Sequence, residues 1–171
     1  DKRPELTNAQ RKMLSHYDNA TLYNDSIVAQ IVKRFQKQNA IIIYVPDHGE
    51  ECYEENRGFI CRNHSANIDW PLAHYEFEIP FWIYCSPKYI KNHRDIYRQI
   101  RKAKDKRFMT DALPHLLLYL AGIETPTYKE EYNILSPKYN EMRPRILKNS
   151  ADYDQLRDEY YKKQEKKGAK K

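Results

Sequence analysis

The sequence predicts an α/β fold, on three observations. Between about Asn8 and Gln38, Ala20, Tyr23, Ile27, Ile31 and Phe35 recur at helical spacing, with Asn24, Asp25 and Lys33 in the gaps. The apolar run Ala40-Ile41-Ile42-Ile43-Tyr44-Val45 follows at once and stops at Pro46-Asp47-His48-Gly49-Glu50. Its β-branched content and lack of alternation fit a strand buried on both faces of a parallel sheet. Finally, Phe77, Ile79, Phe81, Ile83 and Cys85 alternate with their neighbours, and Ser86-Pro87 can cap and open a helix. A buried central strand with flanking helices is therefore expected.

Taken in order, Asn39 ends the first helix. Residues 50–76 read as a long polar loop with turn signals at Asn56-Arg57-Gly58 and Asp69-Trp70-Pro71. Long loops in compact domains are often functional. Pro80 argues for an edge position or a bulge in the second strand. The helix opened by Ser86 runs to about Lys104. Thr110 can cap another through Leu113, Leu116, Leu117 and Leu120, stopped by Gly122. Residues 124–150 look mostly irregular, and a last polar helix is expected over Asp152–Lys163. The chain thus divides into a folded region over 1–150 and a polar helix with a basic tail over 151–171. No internal repeat or Gly/Ser linker is present.

With 171 residues the chain is long enough for one domain with a real core. No stretch approaches the ~18–20 apolar residues that span a bilayer. The start, Asp1-Lys2-Arg3-Pro4, is polar and has no initiator Met, as in a fragment or a processed chain. The formal net charge is +6, and six lysines crowd the last ten residues. Such a tail can bind nucleic acid or anionic lipid, though more often it is a solvated end. A second basic cluster, Arg94 to Arg107, is expected on a helix facing water. The 15 Tyr are scattered without an RNA-binding pattern, so no nucleic-acid partner is expected. Cys52 and Cys61 flank a polar segment, and a disulfide and two reduced thiols are equally compatible with their spacing. No CxxC spacing exists for a zinc knuckle.

The chemistry centres on Asp47-His48-Gly49-Glu50 just past the first strand. In open α/β sheets, ligands bind outside the carboxyl ends of strands. A carboxylate and an imidazole there suit zinc, and Gly49 lets the backbone turn sharply. The alternative is a loop Asp and His that cap a helix or pair with each other. With His64 and His74, three His fall within the 28 positions that begin at Asp47. His74 precedes a strand and can simply pack or cap. His115 lies on an apolar helix face, where a satisfied core histidine is the ordinary reading. His16 and His93 lack supporting neighbours.

These residues fall in an order that resembles bacterial phosphoethanolamine transferases of the alkaline-phosphatase/sulfatase superfamily. Residues 17–25 (Tyr-Asp-Asn-Ala-Thr-Leu-Tyr-Asn-Asp) look like the helix before that family's metal-binding strand, and Val45-Pro46-Asp47-His48-Gly49-Glu50 resembles its Ser-Asp-His-Gly-Glu. Glu55-Asn56-Arg57-Gly58 and His64 resemble a Glu-Asn-Gly step and a later His. Ile79-Pro80 and Ser86-Pro87 follow, then Asp111, His115, Leu117 and Leu118. Leu135-Ser136-Pro137 and Arg143-Pro144-Arg145 close the similarity, which spans about residues 17–147.

The resemblance implies that residues 1–150 are the C-terminal part of a sulfatase-like catalytic domain, a portion of that superfamily's α/β sandwich. It implies zinc, with Asp47 and His48 as metal ligands. His64, further from His48 than the family pattern has it, would bind substrate or pass a proton. Glu78 stands where family members often carry a His. The implied reaction moves phosphoethanolamine from phosphatidylethanolamine to lipid A or a glycan through a phosphothreonine, at the periplasmic face of the bacterial inner membrane. The family's nucleophilic Thr and an acidic ligand have no counterpart here, since Thr7, Thr21, Thr110, Thr125 and Thr127 all lie in the wrong context. Nor is its membrane-spanning region present. Rival readings are a sulfatase or phosphoglycerol transferase of the same superfamily and a non-catalytic domain binding anionic lipid.

Overall fold

The computed structural model describes residues 3–62 and 67–168. Helix α1 spans Asn8–Phe35. Thr7 starts it with a capping box: its hydroxyl accepts from the Gln10 backbone N–H at 3.3 Å, and the Gln10 side chain returns a bond to Thr7 N–H at 2.8 Å. Strand β1 (Ile41–Tyr44) pairs with β4 (Trp82–Cys85), Ile41 opposite Cys85 and Tyr44 opposite Trp82. The pairing is antiparallel, where the sequence suggested a parallel sheet. Thirty-seven residues, including a helix, separate the two strands, and the intervening chain reverses direction instead of crossing over. All four β1 residues are half-buried. An apolar run without alternation therefore marks a strand whose two faces are both partly covered.

The long polar loop is in fact structured. It holds a small antiparallel pair, β2 (Glu51–Cys52) and β3 (Phe59–Cys61), joined through a 3-10 turn at Glu54–Asn56. Helix α2 (Trp70–Phe77) follows, with Asp69 as N-cap accepting from Leu72 N–H at 3.0 Å and Pro71 in its first turn. The Asp-Trp-Pro signal is thus a helix start, which the apolar Trp70, Leu72 and Ala73 bury. Cys52 is buried, while its suggested disulfide falls on a Cys61 side chain outside those described.

Ser86 caps α3 (Pro87–Asn92) by accepting from Tyr89 N–H at 3.1 Å. The expected single helix breaks at His93, whose backbone (φ −130°, ψ 52°) is not helical, and α4 (Arg94–Ala103) continues. Ile96, Ile100 and Ala103 of α4 pack inward with Leu116, Ile134, Leu135 and Phe108. Thr110–Ala112 form a 3-10 turn ahead of α5 (Leu113–Ala121), which stops at left-handed Gly122 (φ 66°). The irregular segment beyond is held from inside. Buried Asn133 donates to Tyr128 Oη at 3.0 Å and accepts from Leu135 N–H at 3.1 Å. A short hairpin, β5 (Ile146–Leu147) with β6 (Ala151–Asp152), leads into α6 (Tyr153–Gly168). Tyr153, Leu156 and Tyr160 of α6 pack with Trp70 and Ala73 of α2 and with Leu147, making a second core cluster.

Asp154 ties this end together. Arg145 donates to it at 2.6 and 3.2 Å, and Arg107 and Arg157 also pair with it. Arg143 grips Asp111 with two bonds of 2.5 and 2.6 Å. The Arg145 and Arg143 guanidiniums hold the two carboxyls below the ordinary aspartate range. A carboxyl with a lowered folded pKa adds stability above its unfolded value, and that stability is lost as pH falls through the folded pKa. The urea midpoint should therefore drop on acidification below about pH 4, the unfolded aspartate range. Asp154→Asn should flatten that limb while lowering the midpoint at pH 7.

Candidate metal centre

Past β1, Val45 and Pro46 carry the chain off the sheet. Pro46 has no N–H to extend the ladder. Tyr44 is fixed at the strand end by stacking on Trp82, ring centroids 5.1 Å apart. Asp47 and His48 project next, the Asp47 side chain 84% exposed and the His48 side chain 25%. His48 N–H donates to Asp47 Oδ1 at 3.1 Å, and His48 Nδ1 lies 2.8 Å from the Gly49 carbonyl oxygen. A carbonyl only accepts, so Nδ1 is the nitrogen that donates here, and in the neutral imidazole Nε2 is then the one that offers a lone pair. Nε2 lies 3.5 Å from Asp47 Oδ2. A carboxylate oxygen and an imidazole lone pair thus meet beyond the strand. Metal-ligating histidines are commonly oriented in this way by a carbonyl on the other ring nitrogen. The two donors fit part of a zinc sphere. Among the described residues no third His, Cys, Asp or Glu joins them.

Two contacts brace the next three residues. Gly49 N–H donates to the Glu76 carbonyl at 2.8 Å. A Cβ on Gly49 would stand 2.2 Å from the Tyr75 carbonyl oxygen, so the last turn of α2 seats directly on this backbone. Gly49→Ala is expected to destabilise the chain by about 1–3 kcal/mol, the usual range for forced overpacking. Loss of protection from hydrogen exchange at the Gly49 amide would show that the loop has lifted off α2. At the other end, Glu51 is fully buried and accepts from Arg57 Nε at 2.5 Å, while Arg57 Nη1 donates to Asp69 Oδ2 at 2.5 Å. Helix α2 therefore grips the strand–loop segment at both its ends. Glu51 Oε2 is buried with no hydrogen-bond partner among the described residues, and burial pushes the Glu51 carboxyl up in spite of Arg57.

The other histidines separate from this centre. His64 lies outside the described residues. His74 stacks on Trp70 at 5.5 Å, and its Nδ1 lies 3.0 Å from Glu78 Oε1, so it packs within α2. Glu78 also accepts from the Tyr153 hydroxyl. Burial alone would raise the Glu78 carboxyl, but Tyr153 and His74 bring it below its ordinary range. The hydroxyl partner is itself raised, by burial and then by Glu78. Glu78 is thus committed to packing. His115 accepts from Lys129 N–H at 3.1 Å beside Tyr128 and Tyr132, a satisfied, half-buried histidine. His93 stacks on Tyr89 at 4.3 Å. The bracing set Glu51, Arg57 and Asp69 was not legible as a unit. A Glu, an Arg and an Asp in a polar stretch look solvated until burial is known.

The sequence and the fold are similar to those of known proteins. The sulfatase family model matches residues 1–123. Phosphoethanolamine transferase EptC of Escherichia coli (strain K12) is 31% identical over 161 residues, covering 90% of this chain and 26% of that protein. The Kdo(2)-lipid A phosphoethanolamine 7''-transferase of the same strain is 30% identical over 99 residues, covering 56% of this chain and 16% of that protein. The chain therefore spans about a quarter of the length of the first of these relatives. The crystal structure of the C-terminal periplasmic domain of E. coli EptC superposes with a TM-score of 0.70 at 30% identity, over 88% of this chain and 43% of that one. A complex of the same domain with zinc superposes equally well. Among the described residues no helix is long and apolar enough to cross a membrane. With most of its length matched by that family model and its fold shared with a transferase domain, the chain belongs to the sulfatase family.

Proposed function

We propose that this chain supplies the Asp47–His48 part of a zinc site in a phosphoethanolamine transferase, whose nucleophile lies elsewhere in the catalytic domain. The observation that carries the reading is the meeting of Asp47 Oδ2 with the lone pair on His48 Nε2, at the end of a strand in a sulfatase fold. In this proposal the donor is phosphatidylethanolamine and the acceptor lipid A or a glycan; the lipid A acceptor is supported by the name of one relative, a Kdo(2)-lipid A phosphoethanolamine transferase. Zinc would lower the pKa of a nucleophilic hydroxyl and offset charge on the phosphoryl oxygens. Asp47 brings the negative charge that offsets part of the metal's own. His48 is kept by the Gly49 carbonyl in the tautomer that offers Nε2, and half-burial of its ring limits competing water. His64 is proposed to bind substrate or pass a proton. The site works at the periplasmic face of the inner membrane.

Two donors rarely hold zinc tightly. Calorimetry of this chain with zinc should therefore show only weak binding, which Asp47→Ala removes, and no transfer activity. Tight stoichiometric binding abolished by Asp47→Ala would show that these residues form a complete site alone, and would sink the divided-site reading. Weak binding indifferent to Asp47→Ala and His48→Ala would sink the ligand assignment.

A further inference from the structure

Charge is distributed very unevenly along the chain. Residues 88–107 hold nine Lys or Arg against two Asp, so this one segment carries +7 while the whole chain carries +6. Helix α4 sorts those charges by face. Ile96, Ile100 and Ala103 point into the core. Arg94, Arg98, Arg101 and Lys102, at spacings of four, three and one, are exposed on the side away from it. Lys88 and Lys91 of α3 are exposed just before them. The two acids do little to balance this: Asp95 pairs with Arg98 and Asp105 with Lys104, both pairs on the surface. Arg107 is occupied by Asp154, and Lys106 donates to the Ile134 carbonyl, so neither contributes to the open face.

The helix is also placed usefully. Phe108, just beyond α4, stacks on Phe81 with ring centroids 4.8 Å apart. Phe81 precedes Trp82, which is paired with Tyr44 at the end of β1 that leads to Asp47. The chain leaving α4 therefore returns to the end of the strand pair from which Asp47 and His48 project, and Ala103, the last residue of α4, packs in the same cluster as Phe81. A rigid helix packed by its apolar face cannot roll its cations inward, and the face stays open to a partner.

We infer that the exposed cationic face of α4 docks the domain on an anionic bilayer surface, holding the metal centre toward lipid headgroups. The choice of a membrane over other polyanions rests on the reading that the parent enzyme draws its substrates from a bilayer. Flat, dispersed lysines and arginines without interleaved exposed aromatics suit a lipid surface, where each contributes about fivefold to partitioning, equivalent to roughly 1 kcal/mol. They do not suit base recognition, which needs stacking platforms or groove-reading side chains.

The test is sedimentation of this chain with large unilamellar vesicles of phosphatidylcholine, with and without phosphatidylglycerol, at rising salt and without zinc. Binding is expected only to the vesicles containing phosphatidylglycerol, and it should weaken as salt screens the surface. Arg94→Gln, Arg101→Gln and Lys102→Gln together should lower the partition coefficient about 100-fold, following the per-residue factor above. The far-ultraviolet circular dichroism should be unchanged, because the three side chains are exposed. Neutralising Lys162, Lys163, Lys166 and Lys167 in the tail should cost far less. The inference is overturned if the tail variant loses binding while the α4 variant keeps it. It is equally overturned if neither vesicle binds, or if a duplex DNA or RNA probe binds while the vesicles do not. None of these outcomes depends on zinc or on catalysis, so they leave the metal-site reading to its own calorimetric test.

Discussion

Under the proposed function, Asp47→Ala in a full-length enzyme carrying this chain is expected to lower kcat/KM by about a thousandfold, corresponding to about 4 kcal/mol of transition-state stabilisation. The size follows from what the carboxylate does. It is exposed, unlike most structural acids, and its Oδ2 sits beside the His48 lone pair with no cation of the protein paired to it among the described contacts. Its removal should leave the fold almost untouched and the metal weakly held. His48→Ala should cost as much, and the double variant little more than either single one, because ligands of one metal act as a unit. The measurements are steady-state kinetics and bound zinc per protein, with thermal unfolding as the control. A rate within tenfold of the parent at full folding would remove Asp47 from the site.

The second large effect concerns stability. Arg57→Met should destabilise the chain by about 3 kcal/mol, the lower end of the cost of stranding a buried charge, because Arg57 is itself partly open to water. Glu51 is completely buried, and Arg57 provides its hydrogen bond and counter-charge. Asp69 would also lose its tie to the β2–β3 loop. Urea unfolding of four proteins reads this out: parent, Arg57→Met, Glu51→Gln and the double variant. The double variant should recover much of the loss, since an amide has no charge to strand. If the two single-variant effects simply add, the pair contributes nothing as a pair. A pH series adds a sign. Burial raises the Glu51 carboxyl, so its contribution is full below the unfolded value and declines as pH rises through the folded one. Glu51→Gln should therefore help more at neutral pH than at pH 4.

Where local chemistry decides an outcome, the sequence was read correctly. Ser86 and Gly122 stand at helix ends because a hydroxyl satisfies orphan N–H groups and glycine tolerates a left-handed backbone, whereas Thr110 enters a 3-10 turn and does not cap α5. The position of Asp47 and His48 is legible for a similar reason: a strand stopped by proline puts the next side chains beyond the sheet edge. The antiparallel partner of β1 was misread, since an apolar run reports burial and says nothing about the direction of its neighbour. The long polar loop hid β2, β3 and α2, because two- or three-residue strands are too short to show a period.

What the sequence determined by itself is therefore several helix ends, the α/β character and the placing of two candidate donors just past a strand, all set within a few residues. The tertiary structure alone decided that Glu51 is buried, that Arg57 spans from it to the cap of α2, and that α2 seats on Gly49. It also decided that the cations of α4 share one open face. These are matters of which distant surfaces exclude water from one another, and burial of that kind turns an ordinary loop carboxylate into a group that must have a partner.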